Sequence, residues 1–338
     1  MEFATHHTKC GNLPQSDYHM LHPTDPTELL EFSSLIDPNL FQPCAVPVEG
    51  VLQTIPLSWE LQSSHEGPRT VLFGGIHGNE WCGVHALRFL MREFSERRLQ
   101  LSKGSLVLAI GNAEALQRKV RYVGENMNRQ FHLSQAPKGT DYEKRRVEEL
   151  KAILHSKITL LLDLHATSAP SIPYAMIERP FLERSQDLQF ETIVTGWGEL
   201  GDASVAGDTQ TFAESLGAWG ITMENGQLSS PSSTDSAIAT SLRVLSRMGV
   251  EGCPKLEPRR SVIYEMTEVY QQKRNSFRYE KPFSNLEKLE RGQLIGADEL
   301  EQFFAPRDYD AVMILPGTPG PGLKPGENLF HFGRRLPS

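Results

Sequence analysis

Cysteine is scarce: four residues in 338, at Cys10, Cys44, Cys82 and Cys253, with no C-x-x-C pair. That scarcity excludes a disulfide-stapled scaffold and a thiolate-rich metal cage. An excess of cations is also missing. Lys plus Arg number 34 against 42 Asp plus Glu, a net charge of -8. General nucleic-acid binding needs a basic surface and is not expected, although a small basic pocket remains compatible with that balance. No apolar run approaches the roughly 18 to 20 residues of a membrane-spanning helix. The opening MEFATHHTKC has no apolar core, so no secretory signal is expected either. A reduced, cytoplasmic setting without a membrane partner is the simplest expectation. There are no internal repeats and no long linker. What is present is the balance of a globular protein, 39% hydrophobic and 22% charged. At about 150 residues per domain, the length suits roughly two domains.

Residues 1–50 show no clear period and read as a leader segment preceding or packed on the rest; His6, His7, His19 and His22 in it read as solvated. From residue 51 the text changes. VLFGG (71–75), SLVLAIGN (105–112), ITLLLDLHA (158–166) and GITMENG (220–226) are short apolar runs that read as buried strands. Between them, residues 80–97 and 143–156 carry helical spacing, and 234–249 reads as a helix capped by Thr234 or Asp235 and stopped by Gly249. Strands alternating with helices predict an α/β fold: a mixed, mostly parallel sheet flanked by helices over 51–257. After residue 258 short strand-like runs separated by Gly and Pro predict a smaller β-rich domain, 258–338, with PGTPGPGLKPG (316–326) as a long turn region.

GGIHGNE (74–80) is the sharpest motif. His77 lies just past the end of a predicted strand, where ligands bind in open α/β sheets, and Glu80 opens the next helix. The H-x-x-E spacing lets an imidazole and a carboxylate converge on one ion. His165, just past the end of a third strand, supplies a second imidazole. Two His and one carboxylate form the three-ligand set of a catalytic zinc site, with a fourth position left for water. His85, on the early helix, reads as a packed or surface histidine, and Asp163, on the same strand face as His165, reads as a carboxylate that orients it or as a satisfied buried acid. RYVGENMNRQF (121–131) gathers Arg121, Asn126, Asn128 and Arg129, groups able to clamp a carboxylate and polarise a carbonyl. Glu224, near the end of an otherwise apolar strand, suits a general base or acid.

GGIHGNE, RYVGENMNRQF, DLHAT and MENG, in that order over roughly residues 50–330, resemble the succinylglutamate desuccinylase and aspartoacylase family, a branch of the zinc carboxypeptidase-like fold. The resemblance implies one Zn2+ per chain held by His77, Glu80 and His165. It implies Arg121 beside the scissile carbonyl, Asn128 and Arg129 at a substrate carboxylate, and Glu224 as the catalytic carboxylate. The implied activity is hydrolysis of the amide of a small N-acyl amino acid, N-succinylglutamate- or N-acetylaspartate-like, by attack of a zinc-activated water. The β-rich C-terminal part would narrow access to the site. The chain departs from the family in two places. No Lys or Arg lies in 204–223, where aspartoacylase-like members have an arginine, and none follows His165 until Arg179, where desuccinylase-like members have one. A zinc carboxypeptidase acting on peptides and a non-catalytic zinc- or ligand-binding relative are the alternatives. Acyl group, amino acid and a homo-oligomeric state are left open, as is the choice among Tyr264, Tyr270 and Tyr279 as second-domain residues reaching the pocket.

Overall fold

The computed structural model describes residues 32, 35–48, 51–200, 207–228, 230–257, 259–314 and 328–337. Strands β1 (Phe41–Val48), β2 (Val51–Gln62) and β3 (Arg69–Gly74) lead into helix α1 (Cys82–Ser95). Strands β4 (Gln100–Leu101) and β5 (Ser105–Ile110) precede helices α2 (Ala113–Arg118) and α3 (Asp141–His155). Strands β6 (Leu160–Thr167) and β7 (Tyr174–Met176), helix α4 (Leu182–Ser185) and strand β8 (Thr192–Thr195) follow. Helix α5 (Thr209–Ser215), strand β9 (Trp219–Gln227) and helix α6 (Pro231–Arg247) complete the alternating part. The remainder is β10 (Val250–Glu251), β11 (Val262–Gln271), β12 (Arg278–Tyr279), β13 (Glu287–Leu289), β14 (Leu294–Ala297), β15 (Gln302–Phe304), β16 (Tyr309–Ile314) and β17 (Asn328–Arg335).

Twelve of these strands form one mixed sheet, ordered β1-β2-β5-β3-β6-β9-β7-β8-β11-β17-β16-β13. Its centre, β5-β3-β6-β9, is parallel. Those strands are buried on both faces, which is why they read as continuous apolar runs. Alternation along β3 sends Leu72 to the face covered by α1 and α6, with Leu90 and Leu242. Val71 and Phe73 go to the face covered by α3 and α5, with Leu150 and Phe212. Burying such side chains contributes roughly 1.5–3 kcal/mol each. β11 is the joint between the two parts of the chain: on one edge its first residues, 262–265, run parallel to β8, and on the other edge it pairs antiparallel with β17 from Tyr264 onward. The C-terminal part carries its own core, where Tyr270 stacks on Phe330 at 4.9 Å between ring centroids.

The leader segment is not all irregular. β1 lies within it and pairs antiparallel with β2 as the edge of the sheet. Pro43 and Pro47 interrupt its sequence pattern, and an edge strand tolerates them because one side of its backbone has no partner to lose. Helix α6 begins a turn earlier than expected: Ser230, not Thr234 or Asp235, is the N-cap, and Pro231 sits in the first turn, where its missing N–H has no intrahelical partner to lose. Gly249, at φ +95°, follows the last turn as expected. The four leader histidines and the 316–326 turn region lie outside the described residues.

Candidate active site

The carboxyl end of β3 is where the chain must turn tightly. Gly75 takes φ +74°, a left-handed conformation that costs glycine little. A Cβ on Gly78 would lie 2.1 Å from the Ala115 carbonyl carbon, so the loop can sit against α2 only with glycine there. This turn delivers His77 and Glu80 to the end of the neighbouring β6, where His165 stands.

The three side chains are buried and converge. His77 Nδ1 lies 2.9 Å from Glu80 Oε1. His165 Nδ1 lies 2.9 Å from Glu80 Oε2 and 3.1 Å from His77 Nδ1. Among the described residues these three form the one group of His, Cys, Asp or Glu able to share an ion, with ligand atoms within 4.8 Å of one another. The outer ring nitrogens are already committed. His77 Nε2 lies 3.1 Å from Asn126 Oδ1, and His165 Nε2 lies 2.8 Å from Asp163 Oδ2. Both partners are acceptors, so the hydrogen-bond network assigns the proton of each ring to Nε2. Both Nδ1 lone pairs then point at each other and at a carboxylate. Three acceptors at contact distance repel unless a proton or a metal cation sits among them, and this donor set suits a divalent metal with mixed N and O ligands.

The surroundings fix these groups. Glu80 Oε2 accepts the Ala166 backbone N–H at 3.1 Å. Asn225 donates to the His165 carbonyl at 3.0 Å. Cys82 packs beneath, its Sγ 3.5 Å from that same carbonyl, and burial pushes its thiol well above the ordinary range, so it stays neutral. Of the two readings the sequence left for His85, packed or surface, it is the packed one: His85 is buried in α1.

Arg121 reaches the same centre, with Nη1 2.8 Å from Glu80 Oε1. Its loop is held by a residue that the sequence reading left unassigned. The Glu143 carboxylate accepts the backbone N–H groups of Val123, Gly124 and Glu125 at 2.9–3.1 Å. It also accepts from Asn112 Nδ2 at 3.1 Å. Burial opposes its charge, but the amides of Thr140, Val123 and Glu125 prevail and hold its pKa below the usual carboxylate value. The signal for it was the T-x-x-E of a capping box, since Thr140 caps α3 reciprocally with Glu143. Further along, Asn128 Oδ1 accepts the Thr209 N–H at 3.1 Å, and Arg129 Nη1 donates to the Asn128 carbonyl at 2.5 Å. Thr209 Oγ1 in turn donates to Asp163 Oδ2 at 2.5 Å. Thr209 therefore ties the Asn128 loop to the carboxylate behind His165, a link that no local motif announces.

Glu224 lies beside His165 in the β6–β9 register. It is half-buried, and its Oε2 is enclosed without a hydrogen-bond partner among the described residues. Burial raises its pKa to about 7, with His165 opposing the rise and Glu80 adding to it. Of the three tyrosines considered, Tyr264 packs with Trp197 and Met266, while Tyr270 and Tyr279 belong to the C-terminal core.

Fold and centre together define an α/β protein with a His-Glu-His metal-type cluster at the carboxyl ends of parallel strands. The model of the succinylglutamate desuccinylase/aspartoacylase catalytic domain matches residues 66–248. The chain belongs to that family. Among curated relatives, it is 36% identical over 110 residues to an N-acyl-aromatic-L-amino acid amidohydrolase of Rattus norvegicus, covering 30% of this chain and 34% of that protein. It is 32% identical over 123 residues to the succinylglutamate desuccinylase of Pseudomonas aeruginosa, covering 35% of each. The matched part thus spans about a third of the length of these relatives. Among solved structures, succinylglutamate desuccinylase from Vibrio cholerae superposes with a TM-score of 0.70 at 18% identity, covering 92% of this chain and 94% of that one. Among the described residues no helix is long and apolar enough to cross a membrane.

Proposed function

We propose that this protein is a zinc-dependent amidohydrolase acting on a small N-acyl amino acid. The observation that carries the reading is the convergence of His77 Nδ1, His165 Nδ1 and the Glu80 carboxylate, with each outer ring nitrogen already donating. These three residues would hold one zinc ion, which supplies Lewis acidity to the amide carbonyl and lowers the pKa of water.

The rest belongs to the chain's own side chains. Glu224, with its pKa raised to about 7, accepts the proton of the water that attacks the carbonyl and returns it to the leaving nitrogen. Arg121, within reach of Glu80, stabilises the negative charge developing on the carbonyl oxygen. Asn128, whose Oδ1 is taken by Thr209, turns its Nδ2 donors to a substrate carboxylate, with Arg129 beside it. Residues 258–338 form the second domain and narrow access; in support, the Asn285 N–H donates to the Pro170 carbonyl in the loop after β6 at 2.8 Å.

Without an arginine in 204–223 or between His165 and Arg179, the pocket has fewer cations for a second substrate acid. The acyl amino acid is therefore proposed to be less acidic than N-acetylaspartate or N-succinylglutamate. An N-acyl aromatic amino acid, named in the rat relative, is the first to try. The test is primary-amine release from a panel of N-acetylated aromatic, aliphatic and acidic amino acids, N-succinylglutamate and short peptides. It is run with zinc-loaded and chelator-treated protein. Zinc-dependent release from a neutral N-acyl amino acid is expected. Release from peptides alone would replace the reading with a carboxypeptidase, and zinc binding without any release would replace it with a binding protein.

A further inference from the structure

A concavity of about 860 Å3 shares no residue with the His77 centre. It opens where β11 begins and β17 ends, beside the end of α6, and β7 and β8 separate β11 from β9 in the sheet. Four arginines line it, Arg247, Arg259, Arg260 and Arg335, against one lining acidic residue, Asp187. In a chain of net charge -8 that local balance is inverted. Two of the four are already paired. Arg247 Nη2 lies 2.5 Å from Asp187 Oδ2, and Arg259 pairs with Glu191. Both pairs are solvent-exposed, and such pairs are worth only about 0–1 kcal/mol, so either arginine can re-aim at little cost. Arg260 and Arg335 have no carboxylate on their guanidinium groups among the described residues. The nearby Asp310 accepts the backbone N–H of Arg335, at 2.8 Å.

Part of the lining is apolar. Ile263 and Leu336 contribute to it, and the Leu336 N–H donates to the Ile263 carbonyl at 2.8 Å, closing the end of β17 onto β11. Like charges gathered around a low-dielectric concavity raise its potential and concentrate anions. Guanidinium forks match phosphate and carboxylate bidentately. The volume lies within the roughly 300–1,000 Å3 of small-molecule sites. A basic hollow of this size in an acidic chain is not the extended basic stripe that a nucleic acid requires.

We propose that this cavity binds a small organic anion carrying at least two negative groups on an apolar body, with Arg260 and Arg335 as its charge partners and Ile263 and Leu336 as its apolar contacts. Phosphate and carboxylate groups share that chemistry. The test is calorimetric titration of the full chain at 0.15 M salt with ADP, pyrophosphate and citrate, repeated on the Arg260→Ala/Arg335→Ala double variant and on Arg260→Ala alone. Saturable binding near one per chain is expected for at least one probe. It should weaken about tenfold or more in the double variant and by an intermediate factor in the single variant, whose exposed loop position leaves folding intact. ADP tighter than pyrophosphate supports a phosphate ligand with an apolar body, and binding of citrate alone supports a carboxylate source. No saturable binding of any probe, or equal affinity in the wild type and both variants, overturns the proposal.

Discussion

Asp163 Oδ2 accepts the Nε2–H of His165 at 2.8 Å, two residues away along β6. That contact turns the Nδ1 lone pair of His165 toward Glu80. The same oxygen takes the Thr209 hydroxyl, and Asp163 Oδ1 is enclosed without a partner among the described residues. Asp163 is therefore read as a positioning residue whose charge raises the basicity of the ring it holds. Asp163→Asn should weaken zinc binding by about 10- to 100-fold. Thr209→Val, which removes one hydrogen bond and keeps the carboxylate, should weaken it less. Competition with a chromogenic chelator checks both, and unchanged affinity in Asp163→Asn removes the orienting role.

Glu224→Gln keeps the size of the side chain and removes its ability to take a proton. The three metal-facing residues are untouched, so zinc stoichiometry should be that of the wild type. Turnover should fall by about 10²- to 10⁴-fold, the usual worth of a placed general base. Metal analysis alongside amine release separates the two effects. Activity within a few-fold of wild type would mean that another group moves the proton.

Glu143 touches none of the reacting groups and yet determines where they are. Its carboxylate gathers the 123–125 amides of the loop that carries Arg121, Asn126 and Asn128. Glu143→Gln loses the charge from several hydrogen bonds at once, and bonds to a charged group are worth about 1.5–3 kcal/mol each. A stability loss of at least about 2 kcal/mol is expected, with kcat/KM reduced as the loop loosens. The pH sense follows from its lowered pKa. In the wild type the stabilisation is fully present above the ordinary unfolded carboxyl value and is lost as pH falls through the folded one. Acid melts of the two proteins should therefore converge at low pH, and a constant gap down to strong acid would contradict the assignment.

The parts of the site that sequence disclosed were those with local signatures. His77, Glu80 and His165 each sit at a strand end or helix start that an apolar run marks, so their convergence followed from α/β topology. The same logic placed β3, β5, β6 and β9. What was hidden lay in pairings between distant segments. Thr209 meets Asp163 across 46 residues of sequence, and nothing in either neighbourhood indicates the partner. β1 was hidden because Pro43 and Pro47 break the alternation that marks a strand. The union of the C-terminal strands with the main sheet was hidden because β11 pairs with β8 on one edge and with β17 on the other, both distant in sequence. Strand periodicity says which face is buried, not which neighbour is paired.

Glu214 makes a prediction independent of catalysis. Burial pushes its carboxyl up to about 8, the hydrogen bond from Gln210 opposes that rise, and Glu178 and Asp208 add to it. The folded state thus prefers the protonated form, whereas the unfolded chain ionises near the ordinary 4.5. Below that value both states hold the proton, and the residue makes no pH-dependent difference. As pH rises from about 4.5 toward 8 the unfolded state releases its proton first, so stability declines by at most about 1.4 kcal/mol per pH unit. Above about 8 both states are ionised and the decline stops. Glu214→Gln, which can keep the Gln210 contact without the charge, should flatten this decline. It should be more stable than the wild type at pH 9 and similar to it at pH 5. Urea unfolding at the two pH values checks this; parallel curves for the two proteins would show that Glu214 ionises alike in the folded and unfolded states.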